Sequence, residues 1–236
     1  MTRPRFSIIT PTYNPGQRVE ETIKSVLAQK NELFEYIIVD GCSTDETLNI
    51  IRKYEGRIKW SSQRDCGVYD AMNRGIRMAA GDYLYFLGAG DRLRENILEK
   101  VEKTIPDGHL IFIYGNVFLL DKKRKYLGKF DEAKIARANI CHQAIFYERT
   151  IFDVIGTYDL RYSLLADHDL NLRCFGDKRI RKIYVDEVIA DYEGGGISMG
   201  KDLNFIKDAP RIIRENLGPK GYLFNRLYWL LRRIHY

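Results

Sequence analysis

The residues best suited to chemistry are carboxylates and small side chains that follow short apolar runs. Phe6 to Thr10 is an apolar, β-rich run that leads into Thr10, Pro11, Thr12 and Tyr13. Thr10 offers a hydroxyl there, and Tyr13 a stacking face. Tyr36 to Val39 ends in Asp40 and Gly41, and Tyr83 to Leu87 ends in Gly88, Ala89, Gly90 and Asp91. Small residues let the backbone approach a ligand closely, and Asp91 places one carboxylate where a metal or a phosphate-rich ligand could sit. Asp65 lies in a polar loop before a helical pattern. Asp167 and Asp169 open another, in A-D-H-D-L-N-L-R. A carboxylate at a helix start either complements the dipole or, inside a cleft, takes a proton from a hydroxyl.

The surrounding elements follow from periodicity. Val19, Ile23, Val26 and Leu27 recur at helical spacing, as do Ala71, Met72, Gly75, Ile76 and Ala79, with Gly81 just past the end. Ser43 and Glu46 have capping-box spacing before a helix carrying Leu48, Ile50, Ile51 and Tyr54. Ile58 to Ser61 reads as a third strand. Strands alternating with helices imply a parallel sheet with right-handed crossovers, whose ligands gather at the carboxyl ends of the strands. The second half is less regular. Strands are expected over Leu110 to Asn116, Val117 to Leu120, Ala144 to Tyr147 and Ile183 to Tyr192, with one more from the turn at Asp121–Arg124 through Lys129. Helices are expected over Arg149 to Ile155, Asp167 to Phe175 and Lys201 to Leu217.

Composition narrows the class. The chain has 236 residues, 45% hydrophobic and 12% aromatic, enough for one large α/β domain. Its net charge of +6 suits an anionic membrane face or phosphate-bearing substrates. No basic run interleaved with aromatics marks a nucleic-acid surface. Cys42, Cys66, Cys141 and Cys174 form no CxxC pair, which disfavours a zinc or redox site and suits reduced thiols. Met1 to Arg5 carry no apolar signal core, and no run approaches the ~20 apolar residues of a membrane span. A cytoplasmic protein is expected.

Read in order, T-P-T-Y-N, V-D-G-C-S-T-D-E-T, D-C-G-V-Y-D-A-M-N, the strand tip ending at Asp91 and A-D-H-D resemble the family-2 inverting glycosyltransferases over roughly residues 5–200. The resemblance implies a GT-A fold, an α/β architecture with a mostly parallel central sheet flanked by helices and a C-terminal helical tail. Residues 1–109 would form a nucleotide-sugar donor half and 110–220 an acceptor half, with 221–236 a basic amphipathic helix. It also implies transfer of a sugar, from UDP first among nucleotides, to a saccharide or lipid-linked acceptor, aided by Mg²⁺ or Mn²⁺. Thr10, Pro11, Tyr13, Asp40 and Asp65 would line the nucleoside pocket. Asn73 and Arg74 would face the pyrophosphate, Asp91 would hold the metal, and Asp167 would be the base. Gly194 to Ser198, G-G-G-I-S, resembles the mobile loop that closes over the donor. One departure stands out: relatives carry a D-x-D pair at the strand tip, and Gly90 occupies a place where a carboxylate often sits.

Two other readings compete. A sugar nucleotidyltransferase shares the alternating architecture but calls for an early glycine-rich phosphate loop, and Pro11 to Arg18 holds one glycine. A non-catalytic sugar-nucleotide-binding or scaffold protein would suit Gly90. The tail, Tyr222 to Tyr236, gathers Leu223, Phe224, Leu227, Leu230, Leu231 and Ile234 on one broad face, with Arg226, Arg232, Arg233 and His235 elsewhere. It suits an anionic membrane surface, a helix docked on the catalytic core or a dimer contact.

Overall fold

Consecutive apolar side chains on the first strands point to opposite faces, and burying both demands helices on both sides of a sheet. The computed structural model describes residues 3–29, 34–126, 128–194 and 200–234. β1 (Phe6–Thr12) pairs in parallel with β2 (Phe34–Asp40), and β2 with β3 (Lys59–Ser62). On its other side β1 pairs in parallel with β4 (Tyr83–Phe86). Ile8 and Ile38 pack with Val19, Ile23 and Val26 of α1 (Arg18–Leu27) and with Ile50 and Ile51 of α2 (Thr47–Arg52). Ile9, Ile37 and Val39 face the other way, onto Met72 of α3 (Val68–Met78). Each fully buried side chain of this kind contributes about 1.5–3 kcal/mol.

The second half extends the same sheet. β5 (Arg92–Leu93) and α4 (Ile97–Glu102) lead to β6 (Ile111–Leu119), which forms a hairpin with β7 (Arg124–Tyr126). After α5 (Glu132–Ile135) and a 3-10 turn at His142–Ala144 comes β8 (Ile145–Glu148), antiparallel to both β4 and β6. α6 (Thr150–Ile155) and α7 (Ala166–Gly176) precede β9 (Arg181–Tyr192), parallel to β6 and antiparallel to β5. α8 (Leu203–Ile234) closes the described chain. The strand order is β3-β2-β1-β4-β8-β6-β9-β5. The first four strands therefore pair wholly in parallel among themselves, and the mixed pairing begins where β4 meets β8.

Several local expectations change. Ile111–Leu119 is one strand rather than two, and the expected break at Asn116 is a bulge where the register with β9 shifts. Ser43 does not cap α2; its hydroxyl turns back to Asp40, and the helix starts at Thr47, whose N–H is taken by Asp45. The last two expected helices run together through a kink at Gly218 (φ 69°), ahead of Pro219. Asn225 donates to the Ala136 carbonyl and Arg137 stacks on Tyr228, so one face of α8 docks beside α5. Leu223, Phe224, Leu227 and Leu230 point outward. Side chains from Leu231 onward, and Gly195 to Ser198 of the expected loop, lie outside the described residues. Among the described residues, no helix is long and apolar enough to cross a membrane.

Candidate active site

A cleft of about 410 Å³ opens at the carboxyl ends of β1 and β4, where a parallel sheet gathers its ligands. Pro11, Thr12 and Tyr13 leave β1 along one wall, and Tyr13 is 65% exposed. Asp65 lies on the same wall. Gly41 is small because a Cβ there would come within 2.6 Å of the Asp65 Oδ2. Asp65 is held by the Gly67 N–H at 3.0 Å and an ion pair with Arg74 at 3.4 Å.

Asp91 also lines the cleft and is 6% exposed. Its Oδ2 accepts from Gln143 Nε2 at 2.7 Å and its Oδ1 from the Glu193 N–H at 3.0 Å. Burial lifts its carboxyl pKa above the ordinary range, because a charged carboxylate is disfavoured away from water. Each oxygen still keeps a lone pair for a cation.

Asp167 sits just behind the cleft, also 6% exposed, at the start of α7. Its Oδ1 accepts from the His168 N–H at 2.9 Å and lies 3.0 Å from the Tyr69 hydroxyl. That hydroxyl is also 2.9 Å from the Leu164 carbonyl, so one proton is shared between two acceptors. Its Oδ2 lies 3.7 Å from His142 Nδ1. Tyr69 and His142 both line the cleft and connect Asp167 to it. Between the carboxylates, burial and then the charges of Asp167 and Asp91 push the Cys141 thiol up to about 12, leaving it a neutral thiol.

The structure brings Pro11, Tyr13, Asp65 and Asp91 to the cleft wall, with Asp167 just behind it. Four other expected contacts are directed elsewhere, each for a local reason. Thr10 lies two residues before the strand end, fully buried, and its hydroxyl meets that of Tyr36 at 3.0 Å. Asp40 is fully buried and accepts from the Ser43 N–H and hydroxyl and from Ser62 Oγ. Asn73 uses both ends of its amide on the Tyr158 backbone, donating to the carbonyl at 2.9 Å and accepting from the N–H at 3.0 Å. Arg74 binds the Gln63 carbonyl through both terminal nitrogens besides pairing with Asp65. Gly90 gives its N–H to Thr22 Oγ1. Asp70 receives the Cys66 N–H at the start of α3, and Asp169 pairs with Arg173 away from the cleft.

Residue spacing alone missed four contributors. Thr12 lines the cleft with a buried hydroxyl that has no hydrogen-bond partner among the described residues. Tyr69 holds Asp167, Gln143 holds Asp91, and Glu193 reaches the cleft from the end of β9. Period-2 counting along β1 would have found Thr12, two residues beyond Thr10 on the same face, and Tyr69 lies within the D-C-G-V-Y-D-A-M-N motif; Gln143 and Glu193 carry no local signal.

Residues 7–158 match the family described as Glycosyl transferase family 2. The chain is 41% identical over 223 residues to the PGL/p-HBAD biosynthesis glycosyltransferase of Mycobacterium tuberculosis, covering 91% of this chain and 87% of that protein. TarS of S. aureus superposes with a TM-score of 0.73 at 19% identity, covering 89% of this chain and 39% of the TarS chain. The mannosyltransferase PcManGT from Pyrobaculum calidifontis, solved with GDP-Man and Mn²⁺, gives a TM-score of 0.64 at 17% identity over 92% of this chain and 63% of its own. The chain thus spans less than two thirds of each of these solved chains, and the likeness to them is one of fold, the GT-A fold. Family match, close relative and strand-end cleft agree: the chain belongs to glycosyl transferase family 2 and is a glycosyltransferase.

Proposed function

We propose that this enzyme moves a sugar from a nucleoside-diphosphate donor, UDP first among the candidates, to an acceptor hydroxyl with inversion at the anomeric carbon. One observation carries the reading: two buried carboxylates, Asp91 and Asp167, flank the single turn at His142–Gln143 beside one cleft. Pro11, Thr12, Tyr13 and Asp65 receive the nucleoside, with Thr12 Oγ1 free to bond it. Asp40, Asn73 and Arg74 act one layer back, shaping the loops that carry these groups. Asp167 accepts the proton of the acceptor hydroxyl as that oxygen bonds to the anomeric carbon. The bond from that carbon to the diphosphate oxygen breaks, and the nucleoside diphosphate departs. Tyr69 and the His168 N–H fix Oδ1, which leaves Oδ2 for the proton.

Mg²⁺ or Mn²⁺ fits this donor set. Among the described residues no group of three His, Cys, Asp or Glu side chains surrounds a point, so the chain offers few ligands and the diphosphate and water must complete the shell. Asp91 would hold the ion, which when bound neutralises charge on the diphosphate.

Residues 1–109 serve the donor in this reading and 110–220 the acceptor. Supporting the setting, the Mycobacterium tuberculosis relative is named for PGL/p-HBAD biosynthesis, and TarS has been solved with UDP-GlcNAc. Polysaccharide or glycolipid assembly in the cytoplasm, with a saccharide or lipid-linked acceptor, follows from that analogy. The outward apolar face of α8, with Arg226 exposed beside it, suits peripheral contact with an anionic membrane. Leu223→Glu with Leu227→Glu should abolish binding to anionic liposomes, and undiminished binding removes this contact.

Calorimetric titration with UDP, GDP and dTDP, with and without Mn²⁺, tests the donor reading. One diphosphate should bind in a metal-dependent way, and its sugar should turn over on the wild type. Asp167→Asn should keep donor binding and lose turnover. Failure to bind any of the three refutes the proposal, and binding without turnover on any acceptor or water returns the non-catalytic reading.

A further inference from the structure

The cleft has an acidic side chain that nothing in the local sequence of the donor half accounts for. β5 and β9 pair antiparallel, with Arg92 opposite Asp191 and Leu93 opposite Ala190. Continued past the strand ends, that register puts Glu193 opposite Gly90. The side chains agree: a Cβ built on Gly90 would stand 2.5 Å from Glu193 Oε2. Gly90 also has φ 111°, a conformation that residues with a Cβ rarely adopt. The space that a carboxylate side chain at position 90 would start from is therefore filled by a carboxylate from position 193. The Glu193 N–H, meanwhile, is bonded to Asp91 Oδ1.

We infer that Glu193 supplies the second carboxylate of the donor-side cation site, replacing in space the acidic residue that Gly90 lacks in sequence. The inference rests on the reading that the cleft takes a nucleoside diphosphate with its cation.

Three further observations favour it. Glu193 is exposed to the cleft, and its carboxylate takes no hydrogen bond or ion pair from another described residue. Arg18 is the nearest cationic residue, its Cβ 4.0 Å from the same point, but its Nε is turned to the Pro15 carbonyl at 3.4 Å. A cation held between two acidic side chains offsets their mutual repulsion. Independently, the buried, unpartnered Thr12 hydroxyl, on a residue 6% exposed in the same cleft, marks a place that a ligand completes. Two carboxylates plus diphosphate oxygens and water form a shell that Mg²⁺ and Mn²⁺ accept.

The test reads the ion rather than the reaction. Mn²⁺ is titrated into the full chain with saturating UDP, GDP or dTDP, and free Mn²⁺ is followed by its electron paramagnetic resonance signal. Wild type, Asp91→Asn, Glu193→Gln and Glu193→Asp are compared, with thermal unfolding as the folding control. Glu193→Gln should weaken Mn²⁺ binding by about tenfold or more, at least the loss typical of perturbing an outer-shell partner, with its melting temperature unchanged. Glu193→Asp should fall between. Mn²⁺ affinity within about twofold of wild type in Glu193→Gln, while Asp91→Asn loses the ion, overturns the inference alone. A changed preference among donor sugars with unchanged Mn²⁺ affinity also overturns it, making Glu193 a sugar contact. A wild type that binds none of the three diphosphates overturns the donor reading and this inference together.

Discussion

Replacing Asn73 by alanine separates two roles that this residue type could play. If Asn73 faced the diphosphate, its loss would weaken nucleotide binding and leave the fold alone. In the structure it is 6% exposed and holds both backbone groups of Tyr158. Asn73→Ala strands one buried N–H and one buried C=O, each costing about 1–3 kcal/mol, so about 2–6 kcal/mol in all. For a chain of this size each kcal/mol shifts the melting temperature by about 2–4 °C, so a fall of about 4–24 °C is expected by calorimetry. The Tyr158 ring packs 5.3 Å from Tyr69 and 5.4 Å from Phe86, and Tyr69 holds Asp167. Loosening Tyr158 should therefore lower kcat as well. Nucleotide affinity, measured well below the transition, should stay within about twofold of wild type. A tenfold loss of nucleotide affinity with the melting temperature within about 2 °C of wild type refutes this reasoning.

Tyr69→Phe removes a hydroxyl donor from a carboxylate, worth about 1.5–3 kcal/mol, so kcat should fall by about 10–100-fold while the donor KM holds; an unchanged kcat refutes the role. Glu35 joins Lys59, Ser7 and the Ala80 N–H; burial raises its carboxyl, but these bonds outweigh burial and hold it below its ordinary value of 4.5. A carboxyl depressed in the fold stabilises above its unfolded pKa and loses that contribution as pH falls through the folded one. Glu35→Gln should therefore melt lower than wild type at neutral pH, and the gap should close below pH 4.5; a gap independent of pH contradicts the assignment. Gly75→Ala would put a Cβ 2.3 Å from Ile9 Cγ2, where α3 crosses β1, and should cost about 1–3 kcal/mol by chemical denaturation. Ile9→Ala in the same chain should recover part of the clash, and no recovery would mean that the contact is not the cause.

The amino-terminal half was legible because its signals are local. Ile8 and Ile9 point to opposite cores, which only a two-sided sheet can satisfy, and each strand ends at a small or acidic residue. What sequence could not convey is how a polar side chain is used once it arrives. Thr10 and Thr12 share a face of β1, and depth below the strand end decides which one meets Tyr36 and which one meets the cleft. Asp40 carries the nucleotide-site pattern, yet Ser43 and Ser62 saturate it because β3 runs alongside. β5 is two residues long, too short for any period, and it is the strand that pairs the end of β9 beside Asp91. The Glu193 N–H reaches Asp91 across 102 positions, and no spacing rule spans that distance.

The two carboxylates are set relative to one another by strand pairing rather than by loops. β4 leads to Asp91, and β8 follows the turn that carries His142 and Gln143; the two strands are hydrogen-bonded neighbours, with Tyr85 opposite Phe146. The Tyr85 hydroxyl donates to the Gln143 carbonyl at 2.8 Å and pins that turn from beneath. Gln143 then points its amide at Asp91, and His142 turns its ring toward Asp167. Displacement at an anomeric carbon needs the leaving diphosphate and the attacking oxygen in line, and a misplacement of about 1 Å can cost about 100-fold in rate. A site held by a flexible loop would drift by that much. Here the buried ring stack of Tyr85 on Phe146, centroids 4.5 Å apart, fixes the spacing from within the sheet. Acceptor variety can then be left to the surrounding loops, because the separation of the proposed cation and base sites does not depend on them.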